Sequence, residues 1–172
     1  DGLLAAVPVD APGVTVRALP SVVEGLQVAT VDLDGVVAHA DLLVTTGVAD
    51  VVHHASTVWS LVLDAYAVGI CRELVGMTVE YVAAREQFGR PVGEFQAVQH
   101  IAADMQIAAE TSSSMLLAAA RDWVQRGDSV LPEVVASRLH AGAAAVTVCE
   151  SAIQLHGGIG FTWELGLHLW YR

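Results

Sequence analysis

Three consecutive apolar stripes at alternating three- and four-residue spacing constrain this chain more than any other feature. From about residue 48, Val51, Ala55, Val58, Val62, Ala65 and Gly69 recur at helical spacing. A second run, Glu94 to Arg126, carries Val98, Ile101, Met105, Ala108, Ser112, Met115 and Ala119. A third opens at Pro132, a good first-turn residue, and carries Val135, Leu139, Gly142, Val146, Cys149 and Ile153. Each stripe puts an apolar face along one helix. Breakers separate the runs at Gly89-Arg90-Pro91, Gly127-Asp128 and Gly157-Gly158. The expected fold is therefore mainly α, a long-helix, mostly antiparallel bundle. At 1.5 Å per residue the second helix would run about 48 Å. The small residues from Gly142 to Ala145 permit close approach of a neighbouring helix.

The first 45 residues follow a different period. Leu3–Pro8 is a short apolar run that ends at the turn Asp10-Ala11-Pro12-Gly13, after which Val14, Val16 and Ala18 alternate with polar positions. Leu26, Val28, Val31 and Leu33 continue the pattern, and Asp34-Gly35 is a turn signal. A few short strands of an incomplete barrel or sandwich are expected here. The chain starts at Asp1 and ends at Arg172 within a new helical run, so a fragment of a longer protein is expected.

Composition narrows the function. Apolar residues make up 54% and charged residues 16%, more apolar surface than one small domain buries alone, which points to oligomerisation or a companion domain. The net charge is −11 with no Lys/Arg cluster, which argues against nucleic-acid binding and docking on an anionic membrane. One Arg and a few backbone N–H groups still suffice for a single pyrophosphate. Cys71 and Cys149 form no CxxC pattern or disulfide framework and read as buried thiols in a reducing cytoplasm. The most apolar stretch, Val51–Cys71, is interrupted by His53, His54 and Asp64, so it reads as a buried helix and not a membrane span. No signal peptide is visible, and no metal site is assigned.

Two segments could carry chemistry. Tyr81-Val82-Ala83-Ala84-Arg85-Glu86-Gln87-Phe88-Gly89-Arg90-Pro91 reads as a helix end and a Gly/Pro turn, followed by Glu94-Phe95-Gln96. Arg85 and Phe88, three apart, would share a face of the last turn and offer a cation and an aromatic ring, with Gln96 adding an amide. From spacing alone a capped helix end with a solvated Arg85 is the simpler reading. Gln154-Leu155-His156-Gly157-Gly158-Ile159-Gly160-Phe161 reads as a glycine-capped helix end, with Gly157 in the left-handed region. Paired glycines also let a ligand approach the backbone, where an N–H can meet a phosphate oxygen or a ring carbonyl.

In this order, YxxxRxxFGxP, EFQ and QLHGGIGF resemble the acyl-CoA dehydrogenase family, and the resemblance covers essentially the whole chain. It implies that residues 1–46 are the C-terminal part of the family's middle β-domain and residues 47–172 a truncated C-terminal helical domain. It also implies FAD-dependent α,β-dehydrogenation of an acyl-CoA thioester, in which a carboxylate takes the α-proton and the flavin the β-hydride. By the same resemblance Arg85, Phe88, Gln96, Gln154, Gly157 and Gly158 contact the FAD of a neighbouring subunit. A site shared in this way implies a homodimer or homotetramer, or a heterotetramer with a homologous subunit. An electron-transfer flavoprotein is the implied acceptor, and a cytoplasmic location is expected.

The catalytic base is not visible. In many members a Glu follows the region matching Trp170-Tyr171-Arg172. A second arrangement in the family places it about 26 residues before the motif Arg, which is Trp59 here, between Val58 and Ser60. Asp64 is five residues further on and reads as a polar position at the bundle surface or an interface; Glu150 and Glu164 read as surface or capping charges, and His156 as structural. The alternative is thus a partner subunit of a heteromeric dehydrogenase, contributing FAD contacts and assembly but no base.

Overall fold

The computed structural model describes residues 2–21 and 27–171; Asp1, Leu26 and Arg172 lie outside them. The chain divides into two compact units, Asp1–Ala55 and Ser56–Arg172.

In the first unit, β1 (Leu4–Ala5) pairs with β4 (Leu43–Val44), and β2 (Val14–Leu19) with β3 (Val28–Leu33), both antiparallel. Among the described residues of this unit the strands form two separate two-stranded ladders, in line with a few strands of an incomplete barrel. Val16, Leu19, Val28, Val31 and Leu33 are all exposed, so neither face of the β2–β3 ribbon has a core. An Arg17–Asp32 ion pair crosses the ribbon.

The second unit is built on α1 (Val48–Ala84) from Ser56 onward, α2 (Gln96–Arg126) and α3 (Leu131–His156). At 37 residues α1 is about 55 Å long. Gly127, at φ 62°, ends α2, and Pro at the start of α3 marks the next helix. Asp64 faces Arg138 near the beginning of α3, and Tyr81 stacks on His156 at its end, so α1 and α3 run parallel. Arg72 of α1 bonds to Ser113 of α2, while the end of α1 lies beside Val98 and Ala102 at the start of α2, so α2 runs antiparallel to both. The core joins Cys71 and Leu74 of α1, Met105 and Ala109 of α2, and Val148, Cys149 and Ala152 of α3, sealed by Leu167 of α4 (Leu167–Tyr171).

The helices agree with the sequence reading; two of the three buried faces do not. The α2 stripe from Val98 to Ala119 is buried or half-buried throughout. On α1, Val62 is 53% exposed and Ala65 and Gly69 are also exposed, whereas Thr57, Asp64, Val68, Cys71 and Leu74 face inward. On α3, Val135, Leu139 and Val146 are exposed, and Val134, Ser137, Ala141, Val148 and Ala152 take the core; of the expected stripe only its end reaches it, through Cys149 and the half-buried Ile153. Nearly every turn of α1 and α3 carries Ala or Val on several faces, so the pattern does not single out one inward side.

Asp64 corrects another expectation. It is fully buried, with neither carboxylate oxygen in hydrogen-bonding geometry. Burial raises its pKa, and the Ser137 hydroxyl and the Arg138 guanidinium, 3.6 Å away, offset this in part. Cys71 and Cys149, distant in sequence, share one core cluster as free thiols. Burial is the main cause that pushes the Cys149 thiol up to about 11.

Candidate functional site

The end of α1 differs from its sequence reading. The helix stops at Ala84, and β5 (Glu86–Gln87) and β6 (Arg90–Pro91) form a hairpin. Phe88 and Gly89 at its tip have φ 57° and 80°, the two positive values of a tight two-residue turn. Arg85 and Phe88 therefore do not share a helical face. Helical spacing fails here because Gly89 and Pro91 favour a turn over another helical turn. The Phe88 ring is 93% exposed and meets Phe95 edge-on at 6.2 Å. The Arg90 guanidinium lies 4.1 Å above the Phe95 ring.

At the other end of the sequence, α3 terminates at Gly157, φ 63°. Its ψ of −137° is outside the left-handed helical basin, although the positive φ still favours glycine. Its N–H bonds back to Gln154 and Ile153 carbonyls, so it is spent on the cap. What Gly157 and Gly158 contribute is space: a Cβ on either would meet nothing within 4 Å.

These two helix ends border one groove of about 730 Å³. Arg85, Gln154, Gly157 and Gly158 line it, with Tyr81, Gln87 and His156 as further polar groups and Val98, Ile101, Leu155 and Ile159 as apolar wall. Among the described residues no carboxylate pairs with Arg85, so its charge is available to the groove. Gln96 and Phe88 are not in the lining; Gln96 opens α2 beside the lining residue Ala97, and Phe88 projects at the hairpin tip. Tyr81, Gln87 and His156 went unrecognised as groove residues, although each lies within or next to the two motifs. A smaller apolar depression of about 460 Å³, bordered by Val79, Val82, Pro91 and Val98, has no cation in its lining.

Trp59, where one arrangement of the family has its acid, is 63% exposed, and no acid takes its place. His156 is 4% exposed and packed at the helix end.

The groove thus combines one cation without a carboxylate partner among the described residues, two side-chain amides and two glycines beside an apolar wall. A family model described as acyl-CoA dehydrogenase, C-terminal domain, matches residues 52–172, and the chain belongs to the acyl-CoA dehydrogenase family. The acyl-CoA dehydrogenase IpdE2 of Mycobacterium tuberculosis is 38% identical over 115 residues, 66% of this chain and 34% of that protein. The FAD complex of PigA superposes with a TM-score of 0.86 at 28% identity, covering 94% of this chain and 43% of that one. The ChsE4-ChsE5 complex from Mycobacterium tuberculosis superposes with a TM-score of 0.83 at 30% identity, covering 96% of this chain and 44% of the other. The chain thus spans less than half the length of these relatives. Among the described residues no helix is long and apolar enough to cross a membrane.

Proposed function

We propose that this chain is the flavin-facing part of a dehydrogenase that oxidises an acyl-CoA thioester between Cα and Cβ. The observation that carries this is the meeting of Arg85, Gln154, Gly157 and Gly158 in one groove from segments about 70 residues apart in sequence. The donor set fits FAD: one guanidinium for a phosphate, an amide, room beside two glycines, and an apolar wall. When bound, the flavin supplies two-electron acceptance. Arg85 would hold a phosphate, Gln154 would orient a polar edge, and Ile101 and Ile159 would exclude water. Phe88 and Gln96, just outside the lining, would extend the contact toward a ligand held by a neighbouring subunit. In this reading residues 1–46 belong to a β-domain and residues 47–172 to the helical domain. The location is cytoplasmic, and an electron-transfer flavoprotein takes the electrons.

The α-proton is assigned to no residue here. Position 59 is Trp, and Asp64 is sealed in the bundle. In a second reading the chain belongs to a subunit that completes a heteromeric enzyme. The likeness to a complex of two named subunits supports it.

The test is to express the full-length protein alone and with an encoded homologue, and to record flavin absorbance and acyl-CoA oxidation. Flavin and activity in the single protein support the first reading, and flavin only on co-expression supports the second. A colourless protein in every combination defeats both.

A further inference from the structure

His156 ends α3 and lines the groove, yet only 4% of it is exposed. Its Nδ1 lies 2.8 Å from the Ala152 carbonyl oxygen. A carbonyl can only accept, so Nδ1 carries a proton, and in the neutral tautomer this leaves an unshared pair on Nε2. The ring plane is fixed a second time by stacking on Tyr81, centroids 4.4 Å apart and planes 25° from parallel. His140 Nε2 and both His168 ring nitrogens are walled off without a partner, but His156 Nε2 is not among such enclosed atoms. No described residue bonds to it either, so it opens on the groove.

We propose that His156 is a ligand-positioning residue whose Nε2 accepts a hydrogen bond from a neutral donor, a sugar hydroxyl or an exocyclic amine, on the dinucleotide cofactor. The proposal rests on the flavin reading above. The division of labour follows from charge. A phosphate oxygen offers no proton to an unshared pair, so the phosphate goes to Arg85, and the neutral ring takes an O–H or N–H. The Nδ1 bond and the Tyr81 stack hold the ring in place before the ligand arrives, so little rotamer entropy is lost on binding.

The experiment strips FAD from the full-length protein, with its partner subunit if one is required, and measures FAD affinity by flavin fluorescence. His156→Phe keeps the stack on Tyr81 and removes both nitrogens; His156→Gln keeps an acceptor near the Nε2 position. The expected result is an affinity about 3- to 10-fold weaker for the Phe variant, in line with one neutral hydrogen bond, and within about twofold of the parent for the Gln variant. Repeating the titration with the hypoxanthine analogue of FAD separates the donors. A loss confined to FAD identifies the amine, and an equal loss with both cofactors identifies a hydroxyl. A Phe variant that binds FAD as tightly as the parent overturns the proposal and leaves the flavin reading intact. So does a Gln variant as impaired as the Phe variant, with both apoproteins melting below the parent. A parent that takes up no FAD defeats the flavin reading and this proposal together.

Discussion

Tyr81 and His156 stack at 4.4 Å and tie the end of α1 to the end of α3. The contact holds Arg85, just before the hairpin, near the turn at Gly157, the two borders of the groove. Tyr81→Phe keeps the ring and should melt within about 1 °C of the parent. Tyr81→Leu loses the stack and should cost about 1–2 kcal/mol, seen as a lower melting temperature. Its flavin affinity should fall as well, because the groove borders are no longer held together.

Glycines of one short segment should separate into two behaviours. A Cβ at Gly160 would lie 2.7 Å from the Ile153 carbonyl oxygen, a backbone atom that cannot move aside cheaply. Gly160→Ala should therefore destabilise the fold by about 1–3 kcal/mol. At Gly158 a Cβ meets nothing within 4 Å and the backbone has no positive φ. Gly158→Ala should melt like the parent but lose flavin occupancy, because the methyl takes up groove space. Equal flavin content in Gly158→Ala and parent would argue against a ligand at this turn.

Asp64 makes a pH prediction whose sign follows from its raised pKa. The folded chain holds the Asp64 proton more tightly than the unfolded one, so this group's contribution to stability is greatest in acid. It is lost as pH rises from the ordinary 3.8 through the folded value. Asp64→Asn removes that loss. It should melt at or above the parent at pH 7, by up to about 2 kcal/mol, with the advantage vanishing near pH 4. Arg138→Ala should act oppositely at pH 7, costing about 1 kcal/mol, a modest figure because the arginine is 40% exposed. Thermal melts from pH 4 to 8 check both.

The two thiols should be inert in the native protein. Both are buried, and Cys149 is pushed up to about 11, so less than about one part in a thousand is thiolate near pH 7.5. A disulfide reagent should react at the rate of unfolding and become fast only in denaturant. Rapid stoichiometric labelling of the native protein would contradict the packing around α4.

Much of the fold could be read from the pattern because helices this long repeat their apolar period many times. The ends of α2 and α3 were readable to within two residues, since Gly127, Pro132 and Gly157 have backbone reasons to be there. The inward faces of α1 and α3 were less readable. Spacing records that a face is apolar but not whether it is covered by the same chain or by another. Asp64 escaped for a related reason: a carboxylate inside a bundle breaks the pattern that locates the inside. At the groove the motifs named Arg85, Gln154, Gly157 and Gly158, but the hairpin after Ala84 and the fixed ring of His156 depend on tertiary contacts that spacing does not encode.

The exposed apolar rows on α1 and α3 make the last prediction. Trp59, Val62 and Tyr66 on α1 are 53–63% exposed, and Leu139 on α3 is 71% exposed. Isolated apolar side chains at a surface are ordinary, but rows at helical spacing on two helices are surface that another chain can cover. If a subunit covers them, Trp59→Glu and Leu139→Glu should shift the full-length protein to a smaller species by light scattering, with helical content unchanged. Burying one carboxylate in an apolar contact is enough to weaken assembly by several kcal/mol. Flavin occupancy should fall in parallel with the loss of the larger species if the groove is completed by a neighbour, and should hold steady if each chain retains its own flavin. Variants that keep the parent's mass in solution would show that these rows lie outside the subunit contact.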